Sequence, residues 1–266
     1  MKFLSKENII SLYKKYKDEI PYISKLTDRV AEFKGQQHRE EFKILYLFLR
    51  EFKPKIIYEV SPGYGWTTLC LQLALKDISH KIYSFDIGKD KIKASINLLH
   101  RFGLLNEDIY FFEGDVSKTF KKLKDKKEAD FILIDCDHTI DNISWLLNNV
   151  VPYLKNGGLL LIHDIKYLDR YVEDYNKLPI TLHETNYVIG WLKKNKDYYD
   201  LLHIPELLKD DDYIEQVKHY GGGDLSFPDG FPYLGSEEKR TKFIIGSKYR
   251  GSNPTLWLKK KGEANE

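Results

Sequence analysis

Short apolar runs alternate with amphipathic stretches from residue 55 onward. A short apolar run bounded by polar residues and glycines is typical of a buried strand, and apolar residues at helical spacing are typical of a helix that packs on a core. The alternation predicts repeated β-α units and a parallel sheet. The predicted strands are 56–60, 81–86, 109–113, 131–134 and 158–163, and the predicted helices between them are 67–75, 89–102, 116–123 and 140–150.

Residues 1–52 are predicted to form a helical extension that precedes the first strand. Pro21 and Gly35 divide this region into separate helices. Its apolar faces contain Ile9, Ile10, Leu12 and Tyr13 in one helix, and Phe42, Ile44, Leu45, Leu47, Phe48 and Leu49 in another. A second copy of the chain can cover such faces, so a homo-oligomer is among the expected assemblies.

The pattern becomes less regular after residue 164. A helix at 184–194 and strands at 198–204 and 241–247 are predicted, and the two strands would form an antiparallel hairpin that closes the sheet. Residues 205–240 combine aspartates, a glycine triplet and a proline-rich aromatic segment, which predicts a long loop. This loop is either a lid or substrate-binding insertion, or a surface excursion without a role. The main domain is expected to span 53–250, and 251–266 to be a flexible tail.

The composition is that of a globular protein without an obvious polyanionic partner. A chain of 266 residues with 42% hydrophobic residues can form one large domain with a buried core. Its 42 lysines and arginines nearly balance its 40 aspartates and glutamates, which leaves a formal net charge of +2. This balance gives no argument for binding to nucleic acid or to an anionic membrane, and neither partner is expected.

The two cysteines, Cys70 and Cys136, lie in apolar stretches and show no metal-ligand spacing, so buried free thiols are predicted. No apolar run approaches the roughly 18 residues that a membrane span needs. The first residues lack the apolar core of a signal peptide, and a cytoplasmic location is expected.

A glycine turn links the first predicted strand to the helix that follows. It contains Glu59, Ser61, Gly63, Tyr64, Gly65, Thr67 and Thr68. Glycines permit positive φ angles and let a backbone approach a ligand closely. The spacing matches neither the G-x-G-x-x-G of dinucleotide-binding folds nor the G-x-x-x-x-G-K-[ST] of phosphate-binding loops. Taken alone, the turn is compatible with a ligand-binding loop and with a plain strand-to-helix connection.

Acidic residues lie at or just beyond the end of each of the five strands predicted between residues 56 and 163. They are Glu59, Asp86, Asp115, Asp135 and the aspartate of the pair His163-Asp164. Because the carboxyl ends of parallel strands share one edge of a sheet, these side chains are expected to converge on one rim, where ligands bind. A single carboxylate at a strand end can also cap the next helix. Five such positions on one rim favour a binding site.

These elements together resemble the class I S-adenosylmethionine-dependent methyltransferases over residues 55–170. The turn resembles the family's E/D-x-G-x-G-x-G motif, with Ser61 in place of the first glycine. Asp86 resembles the acid that accepts the ribose hydroxyls, and Gly114-Asp115-Val116 resembles the turn that meets adenine. A ribose diol needs a charged acceptor, and a sulfonium favours an anion-rich or aromatic surround.

The resemblance implies a Rossmann-like, doubly wound α/β fold with a mostly parallel seven-stranded sheet and an antiparallel last strand. The residues it implies for cofactor binding are Glu59, Ser61, Gly63, Tyr64, Gly65, Thr67, Thr68, Asp86, Ile87, Asp115, Val116 and Asp135. Gln37 in the extension is expected to close over the methionine part of the cofactor. His38 and Arg39 are expected to be surface or capping residues.

A narrower resemblance covers residues 132–138 and 157–164. They are similar to the small-molecule O-methyltransferases related to the macrocin and mycinamicin sugar O-methyltransferases and, more distantly, to catechol O-methyltransferase, which use Mg²⁺ to hold a substrate hydroxyl. The resemblance implies that Asp135 and Asp164 bind a divalent metal. His163 departs from the family pattern; beside two carboxylates it suits Mn²⁺, Fe²⁺ or Zn²⁺, unless it points into the sheet.

The implied activity is S-adenosylmethionine-dependent methylation of a hydroxyl group on a small molecule, with sugars as one acceptor class. Asp135 and His138 are the implied catalytic residues. A neutral imidazole accepts a proton near pH 7, which suits His138 as the general base and Asp137 as its orienting group. The alternative for His138 is a helix N-terminal residue bonded to a neighbouring loop.

Two other functions stay open. One is methylation of nitrogen or of a macromolecule, although the N/D-P-P-Y/F tetrapeptide of amino-directed nucleic acid enzymes is absent after the fourth strand, where Asp135-Cys136-Asp137-His138 stands. The other is a non-catalytic module that binds S-adenosylmethionine, in which Ser61 and His163 mark a decayed site.

Overall fold

A computed structural model describes residues 4–30, 39–124, 126–137, 139–165, 172–178, 182–208, 210–222 and 255–262. Within these residues, seven strands form one sheet. They are β1 (Ile56–Val60), β2 (Lys81–Asp86), β3 (Ile109–Glu113), β4 (Ala129–Ile134), β5 (Leu154–Ile162), β6 (Tyr199–His203) and β7 (Leu256–Lys260). The strand order is β3-β2-β1-β4-β5-β7-β6, and β7 runs in the opposite direction to the other six of these strands.

Helices cover both faces of the sheet. They are α1 (Lys6–Lys15), α2 (Ile20–Val30), α3 (Arg39–Phe52), α4 (Trp66–Leu75), α5 (Lys89–Arg101), α6 (Val116–Lys122), α7 (Ile140–Asn149), α8 (His183–Asn195), α9 (Ile204–Leu207) and α10 (Asp211–Lys218). Short 3-10 helices lie at Val151–Tyr153, Tyr175–Lys177 and Lys196–Tyr198. None of the helices in the described part of the chain combines the length and the apolar character that a membrane span requires.

The core has two layers because the central strands are apolar on both sides. β4 is buried along its whole length, as expected of a parallel strand between two helix layers. Alternate residues point to opposite faces. Phe131 and Leu133 join the core formed with α1–α5, α9 and α10, whereas Ile132 and Ile134 join the core formed with α6–α8. Cys70 and Cys136 are buried free thiols, one in each layer, which confirms their prediction.

The sheet has a topological switch point at its centre. β1 lies between β2 and β4, so the chain leaves the carboxyl ends of β1 and β4 in opposite directions. In doubly wound sheets this crevice is where ligands bind. The predicted doubly wound fold, with a mostly parallel seven-stranded sheet and an antiparallel last strand, is confirmed. The five strands and four helices predicted between residues 56 and 163 agree with the observed bounds to within a few residues.

The last strand lies further along the chain than predicted. The prediction of a flexible tail at 251–266 is wrong for β7, because Trp257 is only 1% exposed. Its ring packs against those of Phe48 and Phe131, at centroid distances of 5.0 Å and 6.3 Å. Burial of this large side chain and of the two flanking leucines offsets the entropy cost of ordering the strand. The strand predicted at 241–247 lies outside the described residues.

Part of the predicted loop at 205–240 is helical. Asp210 caps α10 by accepting a hydrogen bond from the backbone N–H of Tyr213 at 3.0 Å. The ammonium group of Lys6, on α1, lies 3.0 Å from Asp210 and 2.9 Å from Asp212. The loop prediction is therefore wrong for residues 211–218, which pack on the N-terminal helices. The part of the insertion after residue 222 lies outside the described residues.

A buried carboxylate on α3 anchors this insertion. The Oε1 atom of Glu40 accepts hydrogen bonds from the hydroxyls of Tyr13 on α1, at 2.6 Å, and Tyr213 on α10, at 2.8 Å. Lys43 lies 3.8 Å from Glu40 Oε2 and donates to the carbonyl of Gly221. Helices α1–α3 thus share one core with the sheet and with α10. The domain boundary expected near residue 52 stays a prediction.

Candidate active site

The residues that follow five neighbouring strands meet at one rim. Backbone hydrogen bonds join them: the N–H of Ser61 donates to the carbonyl of Phe85 (2.7 Å), that of Asp135 to Val60 (3.1 Å), that of His163 to Ile134 (2.9 Å) and that of Gly114 to Asp86 (2.9 Å). These bonds extend the parallel ladder one step beyond each strand. The strand-end residues singled out in the sequence are therefore neighbours along the carboxyl edge of the sheet.

The glycine turn after β1 has positive φ angles at three positions. Ser61, Gly63 and Gly65 have φ values of 60°, 55° and 90°. Ser61 thus follows the backbone path that suits glycine, at a strain of about 1–2 kcal/mol for a residue with a side chain. The hydroxyl of Ser95, on α5, donates to the carbonyl of Gly63 at 3.1 Å. The loop is held both by the strand before it and by a helix beside it.

Glu59 supports the loop from below. Its side chain is 0% exposed. Its Oε1 atom accepts a hydrogen bond from the hydroxyl of Thr67 at 2.7 Å, and its Oε2 atom accepts from Thr68 and Ser84, each at 2.8 Å. Burial raises the pKa of the Glu59 carboxyl, an effect that the three hydroxyl donors partly offset. The side chains of Glu59, Thr67 and Thr68 are therefore too buried to contact the cofactor directly, contrary to expectation. Instead they link β1, β2 and α4 beneath the loop.

We expect the free energy of unfolding of Glu59→Gln to increase relative to that of wild type as pH rises. Because the folded-state pKa of Glu59 is raised, its contribution to stability is fully present below its ordinary pKa of 4.5 and is lost as pH rises through the folded-state pKa. Glutamine has the same shape and does not ionise. Denaturant unfolding at several pH values above 4.5 measures the difference, with exposed Glu107→Gln as the control. A difference that is constant with pH would contradict the buried-carboxylate interpretation.

Asp86 ties two loops together at the end of β2. Its Oδ2 atom accepts from the backbone N–H of Gly63 at 3.2 Å, and its Oδ1 atom accepts from that of Gly88 at 2.7 Å. Each carboxylate oxygen retains capacity for a further hydrogen bond. The neighbouring Ile87 is 74% exposed, which is unusual for a large apolar side chain and leaves an apolar surface beside the loop.

Asp115 and Val116 have different environments after β3. Asp115 is exposed and caps α6, since its Oδ1 atom accepts from the backbone N–H of Ser117 at 2.8 Å. The hydrogen bonds from Ser117 lower the pKa of the Asp115 carboxyl. Val116 is buried and packs in the core. The capping role considered for a single strand-end acid therefore applies to Asp115. Tyr64, at the tip of the glycine turn, is exposed.

Asp135, His163 and Asp164 bring three metal-binding groups together at the ends of β4 and β5. One ligand atom from each residue lies within 4.8 Å of the others. His163 Nδ1 is 3.2 Å from Asp135 Oδ1 and 3.6 Å from Asp164 Oδ1. The ring of His163 is 3% exposed and faces these carboxylates rather than the interior of the sheet. Two carboxylate oxygens and one imidazole nitrogen fit a divalent cation.

Opposing effects act on the charge of this histidine. Burial alone would lower the pKa of His163, but the negative charges of Asp135 and Asp164, and its contacts with Asp135 and Glu41, raise it well above its ordinary value. Asp164 adopts a φ of 60°, which aspartate and asparagine tolerate better than most residues do. The cluster thus combines concentrated negative charge with a restricted backbone.

Glu41, on α3, is a site residue that the sequence analysis missed. It is buried, and its Oε2 atom lies 3.7 Å from His163 Nε2. The same oxygen accepts a hydrogen bond from the hydroxyl of Thr255, just before β7, at 3.0 Å. Burial raises the pKa of Glu41, although His163 and Thr255 partly offset this effect. The sequence did contain one indication of this role. Residues 42–49 are almost entirely apolar, and a helix that is apolar on all sides is buried, so acids at its start are buried with it.

Some predicted site residues lie outside the part of the chain that the structure describes. These are Gln37, His138 and the neighbouring His38. Asp137, the predicted orienting group for His138, is exposed, and its carboxylate accepts a hydrogen bond from the side-chain amide of Asn142 on α7. Arg39 begins α3. The roles of Gln37 and His138 stay predictions.

Comparison with protein-family models gives one match that spans this rim. Residues 60–165 match a model described as a methyltransferase domain. The match begins at the end of β1 and ends one residue after Asp164, so it includes the glycine turn, Asp86 and the cluster of Asp135, His163 and Asp164. The protein is accordingly a methyltransferase. Comparison with curated protein sequences gives no match.

Solved structures share the fold of this methyltransferase along most of their length. The O-methyltransferase TomG from Streptomyces achromogenes, solved with SAM, has a TM-score of 0.60 at 10% identity, with 91% of this chain and 89% of TomG covered. An O-methyltransferase from Bacillus cereus in complex with SAH has a TM-score of 0.57 at 12% identity, with coverages of 97% and 100%. The SAH-bound Podospora anserina methyltransferase PaMTH1 has a TM-score of 0.54 at 14% identity, with coverages of 92% and 88%. These likenesses show the class I methyltransferase fold.

Proposed function

We propose that this methyltransferase transfers the methyl group of S-adenosylmethionine to a hydroxyl group of a small molecule, with assistance from a divalent metal. The observation that carries the proposal is the position of Asp135, His163 and Asp164 on the same rim as the glycine turn. TomG and the Bacillus cereus enzyme, which have the same fold, were solved with SAM and SAH and are named O-methyltransferases. Both facts support the choice of donor and of an oxygen acceptor.

The cofactor is proposed to lie along the loops after β1 and β2. S-adenosylmethionine supplies a methyl group that is already activated on a sulfonium. The backbone from Ser61 to Gly65 would line its methionine side, where positive φ angles let the chain approach closely. Asp86 has free acceptor capacity for the ribose hydroxyls, and exposed Ile87 offers an apolar face to adenine.

The acceptor hydroxyl is proposed to bind at the cluster at the ends of β4 and β5. A divalent ion held there would lower the pKa of a bound hydroxyl. Asp135 and Asp164 supply oxygen ligands, and His163 supplies a nitrogen ligand. His138, three residues after Asp135, is the proposed general base on the strength of its place in the sequence. The sequence resemblance makes sugars the first acceptors to test.

Calorimetric titration with S-adenosylmethionine tests the donor. We expect saturable binding with a Kd on the order of 1–100 μM, the common range for enzyme substrates. No binding at millimolar concentration would overturn the proposal. A screen with isotope-labelled methyl donor then identifies the acceptor among hydroxylated sugars and other hydroxylated metabolites. A product methylated on nitrogen would contradict the hydroxyl assignment, and donor binding without transfer to any acceptor would favour a non-catalytic module.

A further inference from the structure

We propose that Glu41, on N-terminal helix α3, is the positioning residue that fixes His163 as the nitrogen ligand of the metal centre. This inference rests on the proposed function, because it assumes that Asp135, His163 and Asp164 hold a metal. It adds a residue from outside the β-α units, and it names the kind of ion that the site prefers. The residues that carry it are Glu41, His163 and Thr255.

The ring of His163 faces carboxylates at both of its nitrogens. Nδ1 lies 3.2 Å from Asp135 Oδ1 and 3.6 Å from Asp164 Oδ1, whereas Nε2 lies 3.7 Å from Glu41 Oε2. A neutral imidazole carries one N–H. When Nδ1 binds a metal, the proton is on Nε2, which faces Glu41. A carboxylate that accepts this second N–H is the usual partner of a metal-bound histidine, and it fixes both tautomer and ring orientation.

Glu41 and His163 lie close enough that a small shift would let them form a hydrogen bond. Among the described residues, His163 Nε2 and Glu41 Oε1 are buried side-chain atoms without a hydrogen-bond partner. Hydrogen bonds between such groups measure about 2.8–3.0 Å, so a shift of less than about 1 Å closes the 3.7 Å gap. Thr255 holds the oxygen nearest to His163, Glu41 Oε2, with a hydrogen bond of 3.0 Å. Glu41 is thus fixed in place beside the nitrogen that needs an acceptor.

The distances from His163 Nδ1 to the two aspartates fit ligands of one ion. Adjacent ligands of a six-coordinate ion with bonds of about 2.1 Å are about 3.0 Å apart, and those of tetrahedral zinc are about 3.3 Å apart. The separations of 3.2 Å and 3.6 Å from His163 Nδ1 are close to these values. A nitrogen donor favours Mn²⁺, Fe²⁺ or Zn²⁺ over Mg²⁺, which prefers oxygen. By holding the nitrogen in place, Glu41 gives the site its preference for a transition metal.

Adjacent Glu40 provides a matched comparison. Both acids are buried in the first turn of α3, but Glu40 faces Tyr13 and Tyr213, whereas Glu41 faces His163. Consecutive helical residues point about 100° apart, so one turn of helix serves two separate clusters. Glu40→Gln therefore removes a buried carboxylate without touching the metal ligands. Glu41→Gln removes one of equal size that faces them.

Metal binding to the full chain tests the proposal without reference to activity. Metal-free protein is titrated with Mn²⁺ alone, and free Mn²⁺ is measured from its electron paramagnetic resonance signal. Mg²⁺ affinity is obtained by competition. Glu41→Gln is expected to weaken Mn²⁺ binding by about 10- to 100-fold, the range for such supporting partners, and to weaken Mg²⁺ binding less. Glu40→Gln is expected to leave both affinities within about twofold of wild type.

Each of the remaining outcomes would contradict one specific hypothesis. Unchanged Mn²⁺ binding in Glu41→Gln, or an equal loss for Mn²⁺ and Mg²⁺, overturns the positioning role of Glu41. Wild-type protein that binds S-adenosylmethionine but not Mn²⁺ overturns the metal assignment and leaves methyl transfer standing, whereas wild-type protein that binds no S-adenosylmethionine overturns the proposed function. If Glu41→Gln does not fold, Thr255→Val replaces it, because that change removes the hydrogen bond to Glu41; unchanged Mn²⁺ affinity in Thr255→Val then contradicts the proposal.

Discussion

Gly65→Ala is expected to abolish tight binding of S-adenosylmethionine and to lower the free energy of unfolding by about 3 kcal/mol. Gly65 has a φ of 90°, where a side chain costs about 1–2 kcal/mol. A Cβ atom there would lie 2.7 Å from the Cα atom and 2.9 Å from the Cβ atom of Ser95 on α5. Overpacking of this kind adds about 1–3 kcal/mol. Because Ser95 also binds the carbonyl of Gly63, a shift of α5 moves the whole loop.

Gly63→Ala is the matched control in the same loop. Gly63 has a positive φ of 55°, but an added Cβ atom meets nothing within 4 Å. Only the backbone strain remains, so we expect a loss of about 1 kcal/mol in unfolding free energy. Thermal or denaturant unfolding measures stability, and calorimetric titration measures donor affinity. Equal effects of the two substitutions would show that backbone strain alone, and not contact with α5, governs the loop.

The strands β1–β5 were predictable because each is a local pattern. An apolar run with a turn signal at each end identifies a buried strand without reference to the rest of the chain. β7 lacks such a signal, because its three apolar residues are followed by Lys259 and Lys260. Its strand character depends on pairing with β5, for example Trp257 with Leu161, and with β6 on the other side. The local pattern of apolar and polar residues does not reveal contacts between residues nearly one hundred positions apart.

The rim of the site was predictable from topology alone, but the direction of each side chain was not. Asp135 and Asp164 lie beyond the ends of their strands and reach the cluster proposed to bind a metal. Glu59 lies within β1, so its side chain is enclosed between the sheet and α4 and becomes a support for the loop. Residues inside a strand point into a helix layer, whereas residues just beyond its end reach the rim. Glu41 was missed because it meets His163 only through the packing of α3 on the sheet.

Two segments far apart in the chain, the start of α3 and the residue just before β7, meet at this rim. α3 contributes Glu41, and Thr255 holds the Glu41 carboxylate from the segment just before β7. Glu40, on the same turn of α3, binds Tyr213 of the insertion. The start of α3 therefore connects the cluster of Asp135, His163 and Asp164 to the insertion between β6 and β7. This arrangement explains why α3 is buried along nearly its whole length in the core of a domain whose family match begins only at residue 60.

Asp135→Asn is expected to reduce methyl transfer by about 10³-fold, which is within the range for groups that move a proton or stabilise charge at a reacting centre. Asparagine keeps the shape of the side chain but removes a charged oxygen that lies 3.2 Å from His163 Nδ1. Divalent metal affinity is expected to fall together with turnover. Asp164→Asn is expected to behave similarly, and asparagine is the suitable replacement there because it tolerates the φ of 60°.

Asp115→Ala is the comparison variant for this test. It also removes a strand-end carboxylate, but Asp115 caps α6 and is not among the three residues proposed as metal ligands. We expect a loss of about 1 kcal/mol in unfolding free energy from the missing cap, with metal affinity unchanged. Single-turnover transfer, metal titration and donor titration on the three variants separate the roles. If Asp135→Asn loses donor affinity and keeps its metal affinity, Asp135 acts on the cofactor; if both Asp135→Asn and Asp164→Asn retain full transfer, the metal has no part in the reaction.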